Sequence, residues 1–556
     1  MELSLRWLTV VLRLLCATVG ALLTVSPFAS LAALVALAVA GLILAGLEEL
    51  ARAGTAPKAR PLVLSGLGWL VAGVGVAAWP GPTIRVLALA IGASLIVDGT
   101  VTAVPALRDR AGDGVGALLL GTVGVILGIA TLVWPRATVF VVSAGFGLRL
   151  VLFGIADAIP PWRWSRGFAA FVAALGLLSF GVWLHPLAPR PDAFYTPPAG
   201  APGTPGALLR SEPFNSGAPG DVHAWRILYA TTRDDHTPAV ASALVLVAAQ
   251  VPPGPRPVLA WAHGATGIGR GCAPSLLDKP LGGGAMPGLD QVLARGWVVV
   301  ATDYTGLGTA GPHPFLIGQG EARSVLDAVR ATRHLTGVTV DDRTAVWGHS
   351  QGGNAALWTG ALAPTYAPDV QVIGVAALAP GSQLTELARR WGQGGGGALF
   401  AAYLIQAYSE TYPDVRFGVY VRPAADLPVR ELADRCLSES KVYLSGISSL
   451  LFGQSIWRAD PGTGAMGTRL RENTPTGPIP MPLLVAQGQD DTVVPPEAQA
   501  DYVHGRCTAG GQVEYRTYPG RDHVGLIAVD SPLIPDLVKW TQDRLDGRPA
   551  RSTCAT

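Results

Sequence analysis

Trp347-Gly348-His349-Ser350-Gln351-Gly352-Gly353-Asn354 ("WGHSQGGN") holds a serine between two glycines at G-x-S-x-G spacing. Thr344–Trp347 before it is a short β-branched, apolar run, and Gln351–Ala363 after it is rich in helix formers. Strand, sharp turn and helix make the setting in which a serine is lifted to the edge of a sheet, with glycines tolerating the strained turn and its close neighbours. The competing reading is an ordinary strand-to-helix turn, which arises easily in a chain with 69 glycines. Residues far along the chain decide between the two.

A serine hydroxyl is a weak nucleophile and needs a base that is itself oriented by an acid. "PLLVAQGQDDTVVPP" supplies an apolar strand, Pro482–Gln487, then Gly488 and the pair Asp490–Asp491. The spacing favours Asp491 as the orienting carboxylate and leaves Asp490 as its alternative, against a solvated acidic turn. "VEYRTYPGRDHVG" supplies a strand, Val513–Tyr518, then a turn holding His523, the histidine expected to act as base. Two backbone N–H groups should face the developing oxyanion. One is expected from Gln351. The other is expected from Ala265, with Thr266 next, in the loop after the strand Val258–Ala262. Between the strand Val372–Leu378 and the strand at Pro482 lie about a hundred residues, far beyond a normal connection. This stretch contains Gly394–Gly397 and the helical Ala398–Ala407, and it is expected to roof the pocket as a cap at about residues 385–478.

The composition is divided along the chain. Of 556 residues, 49% are hydrophobic and 14% charged, and the charges are scarce before about residue 190. Length implies two to four domains. Net charge is +2 with no basic run, which excludes nucleic acid as the expected partner. No C-x-x-C or H-x-x-x-H arrangement offers zinc ligands. Cys16 lies in the apolar third, while Cys272, Cys436, Cys507 and Cys554 are dispersed beyond it. In an oxidising compartment those four can form two disulfides; otherwise they are buried thiols.

Seven apolar runs precede residue 185: Trp7–Thr24, Phe28–Leu47, Pro61–Trp79, Thr83–Val104, Gly116–Trp134, Ala137–Ile159 and Gly167–Leu184. Each approaches the ~20 residues that cross ~30 Å of hydrocarbon, where only internally paired helices are tolerated. The first six form a threefold repeat. Pro27, Pro80 and Pro135 mark its turns, with Gly20, Gly73 and Gly128 before them and Gly46, Gly99 and Gly154 after them at fixed spacing. A helical hairpin of about 55 residues used three times accounts for this, with glycines allowing close helix approach. The pattern resembles short-repeat membrane proteins of the HdeD type over about Leu12–Ile159. Arg52, Lys58, Arg60, Arg108, Arg110, Arg163 and Arg166 fall on one side, and only Arg85 and Arg136 on the other. The N-terminus is therefore expected in the cytoplasm, with everything after the seventh span outside. Arg149, Asp98 and Asp157 lie within spans, either as ion pairs that set helix packing or as part of a conduit. From His185 to about Gly220 the chain is rich in Pro, Gly and Ala and suits a tether.

"HGATGIGRGCAPS" (His263–Ser275), "TDYTGLG" (Thr302–Gly308), "LDAVRATRHL" (Leu326–Leu335), "GHSQGG" and "GQDDTVVPP", with "FYTPP" and "PGALLR" in the tether, resemble the secretory lipase family of the yeast lipase A type over about residues 193–545. The resemblance implies an α/β-hydrolase with a cap, no metal and no cofactor, and carboxylic-ester hydrolysis. It also implies Cys272 paired with Cys436 and Cys507 with Cys554, though the second pair departs in spacing. The expected architecture is multi-domain: an all-α transmembrane bundle over residues 1–185, a tether and N-terminal arm over 186–220, and an α/β-hydrolase over 221–548. An external esterase tethered in this way would meet ester or lipid substrates, envelope and membrane lipids among them. An acyltransferase using the same serine, or a transporter or lipid conduit with an accessory hydrolase, are the alternatives.

Overall fold

The computed structural model describes residues 189–554, apart from 202, 215–221, 251–253, 278–279, 284–285 and 438–454, together with scattered helical positions between 43 and 129. The chain divides into two units, one of Met1–His185, Val421–Glu431 and Leu450–Gln454, the other of Pro186–Tyr420, Leu432–Ser449 and Ser455–Thr556.

The second unit is built on one sheet, nine-stranded among the described residues. Its strands are β1 (Leu208–Pro213), β2 (Val222–Thr232), β3 (Pro238–Ala248), β4 (Arg256–Ala262), β5 (Val298–Thr305), β6 (Val340–His349), β7 (Gln371–Leu378), β8 (Leu483–Gly488) and β9 (Glu514–Tyr518). They lie in the order β1-β2-β3-β5-β4-β6-β7-β8-β9. The first three and the β3–β5 contact are antiparallel; from β5 to β9 all neighbours are parallel. Parallel strands are covered on both faces, which explains why β5 reads "VVVATDYT" and is buried at every position.

Alternation along β4 sorts the two faces. Val258, Ala260 and Ala262 join one core with Val325 and Val329 of α1 (Gly318–Thr332) and Ala355 and Leu357 of α2 (Gln351–Tyr366). Leu259 and Trp261 join the other. The central insertion carries α3 (Leu384–Trp391), α4 (Ala398–Thr411) and α5 (Gly464–Glu472), and after β8 come α6 (Pro496–Thr508) and α7 (Leu533–Leu545). α6 adds Tyr502 and Val503 to the first core, and α7 adds Leu537 and Trp540 to the second. Fully burying each such apolar side chain contributes roughly 1.5–3 kcal/mol. Trp347 of β6 is fully buried, and its indole N–H donates to Thr541 Oγ1 at 2.9 Å, pinning α7 to the central strand.

Arg149, Asp98 and Asp157 lie outside the described residues, as do the first, sixth and seventh expected spans, while the second to fifth are described only in part. Among the described residues no helix is long and apolar enough to cross a membrane. The described positions do bear on the repeat. A Cβ added at Gly46 would lie 2.8 Å from the Gly66 carbonyl oxygen, and one at Gly99 would lie 2.5 Å from that of Gly121. The two glycine pairs stand about 55 residues apart, the repeat length read from the sequence. Both crossings admit only hydrogen at these positions. Leu64, Val71, Val97 and Val101 in the same unit are 72%, 71%, 62% and 65% exposed.

Candidate active site

β6 ends at His349 and α2 begins at Gln351, so Ser350 alone makes the turn. It does so at φ 59 and ψ −118, in the left-handed half of conformational space where a non-glycine residue is strained. The turn fits only because its neighbours lack side chains. A Cβ at Gly348 would meet the Gly352 carbonyl oxygen at 1.9 Å, and one at Gly352 would meet that of Ala262 at 1.9 Å. Backbone cannot swing aside as a side chain does. Gly352→Ala is therefore expected to lower stability by about 3 kcal/mol or more, seen as a reduced melting temperature. The Ser350 N–H is held by Leu378 O at 2.9 Å, and the Ser350 carbonyl accepts from Gly381 N–H at 3.1 Å.

Three side chains predicted from the sequence meet here. His523 Nε2 lies 2.9 Å from Ser350 Oγ, and His523 Nδ1 lies 2.7 Å from Asp491 Oδ2. They come from the turns after β6, β8 and β9, at the carboxyl ends of three parallel strands, where open α/β sheets bind ligands. Of the acid pair, Asp491 is the buried member and Asp490 is exposed. Asp491 Oδ1 accepts the Val493 and Val494 N–H groups, each at 2.8 Å, and Oδ2 also accepts Gln487 Nε2 at 3.0 Å. Burial alone would raise its carboxyl. The hydrogen bond and charge of His523, with Val494 N–H and Gln487, more than offset that and hold it below the usual carboxylate range.

Gln351 is the first residue of α2, where backbone N–H groups have no intrahelical acceptor. Ala265 lies in the loop after β4. Its neighbour Gly264 is set against the turn: a Cβ there would lie 3.6 Å from Ser350 Cβ and 3.3 Å from His349 O. That loop is tied to the insertion by the disulfide Cys272–Cys436 and by Leu437 N–H donating to Thr266 O at 2.8 Å. A second disulfide joins Cys507 to Cys554, so the less regular of the two expected pairs is present as well.

Several polar side chains that have no role read from the sequence also meet near the site. His349 Nε2 donates to the His523 carbonyl at 2.9 Å, and burial pushes its imidazole down to about 3, so it is neutral. Asp303 accepts from Ser242 Oγ at 2.6 Å and from the Ser275 N–H at 3.0 Å. Tyr195 of the tether reaches Ser275 Oγ at 2.7 Å, anchoring that arm. Glu321, His313 and the Gln351 side chain form a buried cluster beneath the turn. Asp303 lies in the TDYTGLG motif without a role read from it, and Glu321 stands out in the sequence only as an acid beside an apolar run. Among the described residues no group of His, Cys, Asp and Glu is placed to hold a metal.

Residues 286–553 match the family model described as "Secretory lipase". Residues 64–125 and 119–184 match "Short repeat of unknown function (DUF308)", two copies offset by about the repeat length read from the sequence. Probable inactive lipase MT1628 of Mycobacterium tuberculosis is 27% identical, covering 66% of this chain and 84% of its own. Secreted triacylglycerol lipase LIP5 of Malassezia globosa is 25% identical over 66% of this chain and 81% of its own. Carboxylic-ester hydrolysis is the activity these matches support. The closed-state structure of Candida antarctica lipase A superimposes with a TM-score of 0.56 at 22% identity, covering 66% of this chain and 89% of that one, which shows the shared fold.

Proposed function

We propose that this chain is a membrane-anchored serine esterase or lipase whose hydrolase unit, from about residue 186 onward, lies outside the cell membrane. Ser350 Oγ attacks the ester carbonyl as His523 Nε2 takes its proton, and Asp491 holds the imidazole with Nδ1–H facing the carboxylate. The N–H groups of Gln351 and of the His263–Gly267 loop, with Ala265 the expected donor, receive the oxyanion. His523 then protonates the departing alkoxide. Water, deprotonated by the same imidazole, releases the acid and restores Ser350. The insertion after β7 covers the acyl group.

The hydrogen-bonded relay from Ser350 through His523 to Asp491, set on a strained turn, carries this reading. The inactivity in the mycobacterial relative's name belongs to that protein; here nucleophile, base and acid are all present and in contact. Three features support anchoring: the seven apolar runs, the side-dependent arginine count, and glycine-paired helices whose large apolar side chains face outward. Triacylglycerols and envelope lipid esters are the substrate class, given the lipase relatives and a site tethered beside a bilayer.

A membrane-impermeant fluorophosphonate probe on intact cells tests nucleophile and side together. Wild type is expected to label at the cell surface and Ser350→Ala to stay unlabelled. Labelling of wild type only after lysis would refute the external placement.

A further inference from the structure

Glu321, in the first turn of α1, is completely buried. Its Oε1 accepts from Gln351 Nε2 at 2.6 Å and from the Leu316 N–H at 3.1 Å. The second amide hydrogen of Gln351 goes to His313 Nε2 at 2.9 Å. His313 Nδ1 donates to the Thr305 carbonyl at 3.2 Å, so Nε2 is free to accept only in the neutral ring. Burial does keep that ring neutral, pushing it down to about 3. Both donors of the Gln351 side chain are thereby committed, and the residue is held from below. Leu316, the other group on Glu321, sits at φ 56, a strained conformation that its N–H bond to the carboxyl sustains. The Leu316 carbonyl in turn accepts from Tyr408 OH at 3.0 Å. The groups facing Glu321 are Gln351, His313, Tyr304 and Tyr408, and none is a cation.

We propose that Glu321, in its uncharged acid form, is a positioning residue for the esterase reaction: it clamps Gln351 so that the Gln351 N–H stays aimed at the oxyanion, and its ionisation switches the reaction off. The proposal rests on Ser350 being the nucleophile and Gln351 an oxyanion donor. An unpaired acid in such surroundings favours the neutral state, and burial pushes Glu321 up to about 8. Below that pH the acid is neutral and the N–H groups act on the oxyanion unopposed. Above it, a buried negative charge appears beneath the same helix terminus on which a second negative charge must develop. In a low-dielectric interior the two repel strongly. Stability follows the same sign. The unfolded carboxyl ionises near its ordinary 4.5 while the folded one stays protonated to about 8. The stabilising contribution of the neutral acid is full below the first value and lost as pH rises through the second.

The test compares full-length wild type, Glu321→Gln and Glu321→Ala in detergent micelles, with a short-chain nitrophenyl ester from pH 6 to 10 and kcat and KM resolved. Wild type should lose about tenfold or more in kcat through an alkaline limb near pH 8, with KM little changed. Glutamine keeps the Oε1 acceptor and cannot ionise, so Glu321→Gln should stay within about fivefold of wild type at pH 7 and lack the limb. Its melting temperature should gain on wild type as pH rises from 5 to 8. Glu321→Ala should lose about 10–100-fold in kcat at every pH. An identical limb in Glu321→Gln, or wild-type kcat in Glu321→Ala, overturns the proposal; if the alanine variant does not fold, the glutamine profile alone decides. Ser350→Ala run alongside separates the two ideas. Undiminished turnover there removes the nucleophile reading, whereas Ser350-dependent turnover with a flat wild-type profile removes only the role of Glu321.

Discussion

Ser350→Ala is expected to lower turnover of a nitrophenyl ester by about 10⁴–10⁶-fold and to abolish fluorophosphonate labelling. Without Oγ no covalent acyl-enzyme forms, and hydrolysis must proceed by direct attack of water. The proposed oxyanion N–H groups, on the backbone of Gln351 and of the loop after β4, would survive the substitution and account for the residual rate. Alanine has the same Cβ as serine, so the strain at φ 59 is unchanged, and the Ser350 N–H bond to Leu378 O remains. The variant should therefore melt where wild type does. Turnover equal to wild type in a folded Ser350→Ala protein would end the assignment of the nucleophile.

Asp491→Asn is expected to reduce kcat by about 10³–10⁴-fold while leaving KM within a few-fold. The argument is one of proton placement. Asp491 Oδ1 accepts two backbone N–H groups at 2.8 Å, so in asparagine the oxygen must take that position. The amide nitrogen then replaces Oδ2 and presents hydrogens to Gln487 Nε2 and His523 Nδ1. Donor facing donor at Gln487 is unfavourable. At His523 the ring must accept at Nδ1, which moves its proton to Nε2, against Ser350 Oγ. An imidazole that already holds a proton there cannot take one from the serine, and the imidazolium loses its counter-charge. Steady-state kinetics check this at neutral pH; a variant within tenfold of wild-type kcat would show that Asp491 does not set the tautomer.

Much of this site is legible in the sequence because its parts are local. An apolar run of four to eight residues, then a turn with glycine or an acid, can be read by eye, and the strands expected near Ser350, Asp491 and His523 appear as β6, β8 and β9. Strand ends were less legible. β6 starts at Val340 rather than Thr344, since Val340 pairs with Arg256 of β4, a partner more than eighty residues away. The spacing after Gly488 already favours Asp491 over Asp490; what the fold adds is the physical reason, since Asp491 is buried against Gln487 and Asp490 faces solvent. Among the nine histidines, His349 and His313 resemble unremarkable polar residues until their buried neighbours are known.

By itself the sequence determined what depends on neighbours along the chain: apolar periodicity, the short repeat with its glycines, the strand–serine–helix signature, and the order in which serine, acid and histidine follow one another. The tertiary structure alone decided which distant groups share a volume empty of water. Burial there neutralises His349 and His313 and lifts Glu321, and it turns Gln351 from an intervening letter of a motif into a clamped side chain. For the cysteines, the family resemblance implies the pairs and the fold supplies the contact: Cys272 and Cys436 are 164 residues apart and meet only when the insertion folds back onto the loop beside Ser350. The physical reason is that backbone preference acts over a few residues, while desolvation and hydrogen-bond satisfaction act across contacts that exist only after the chain has closed.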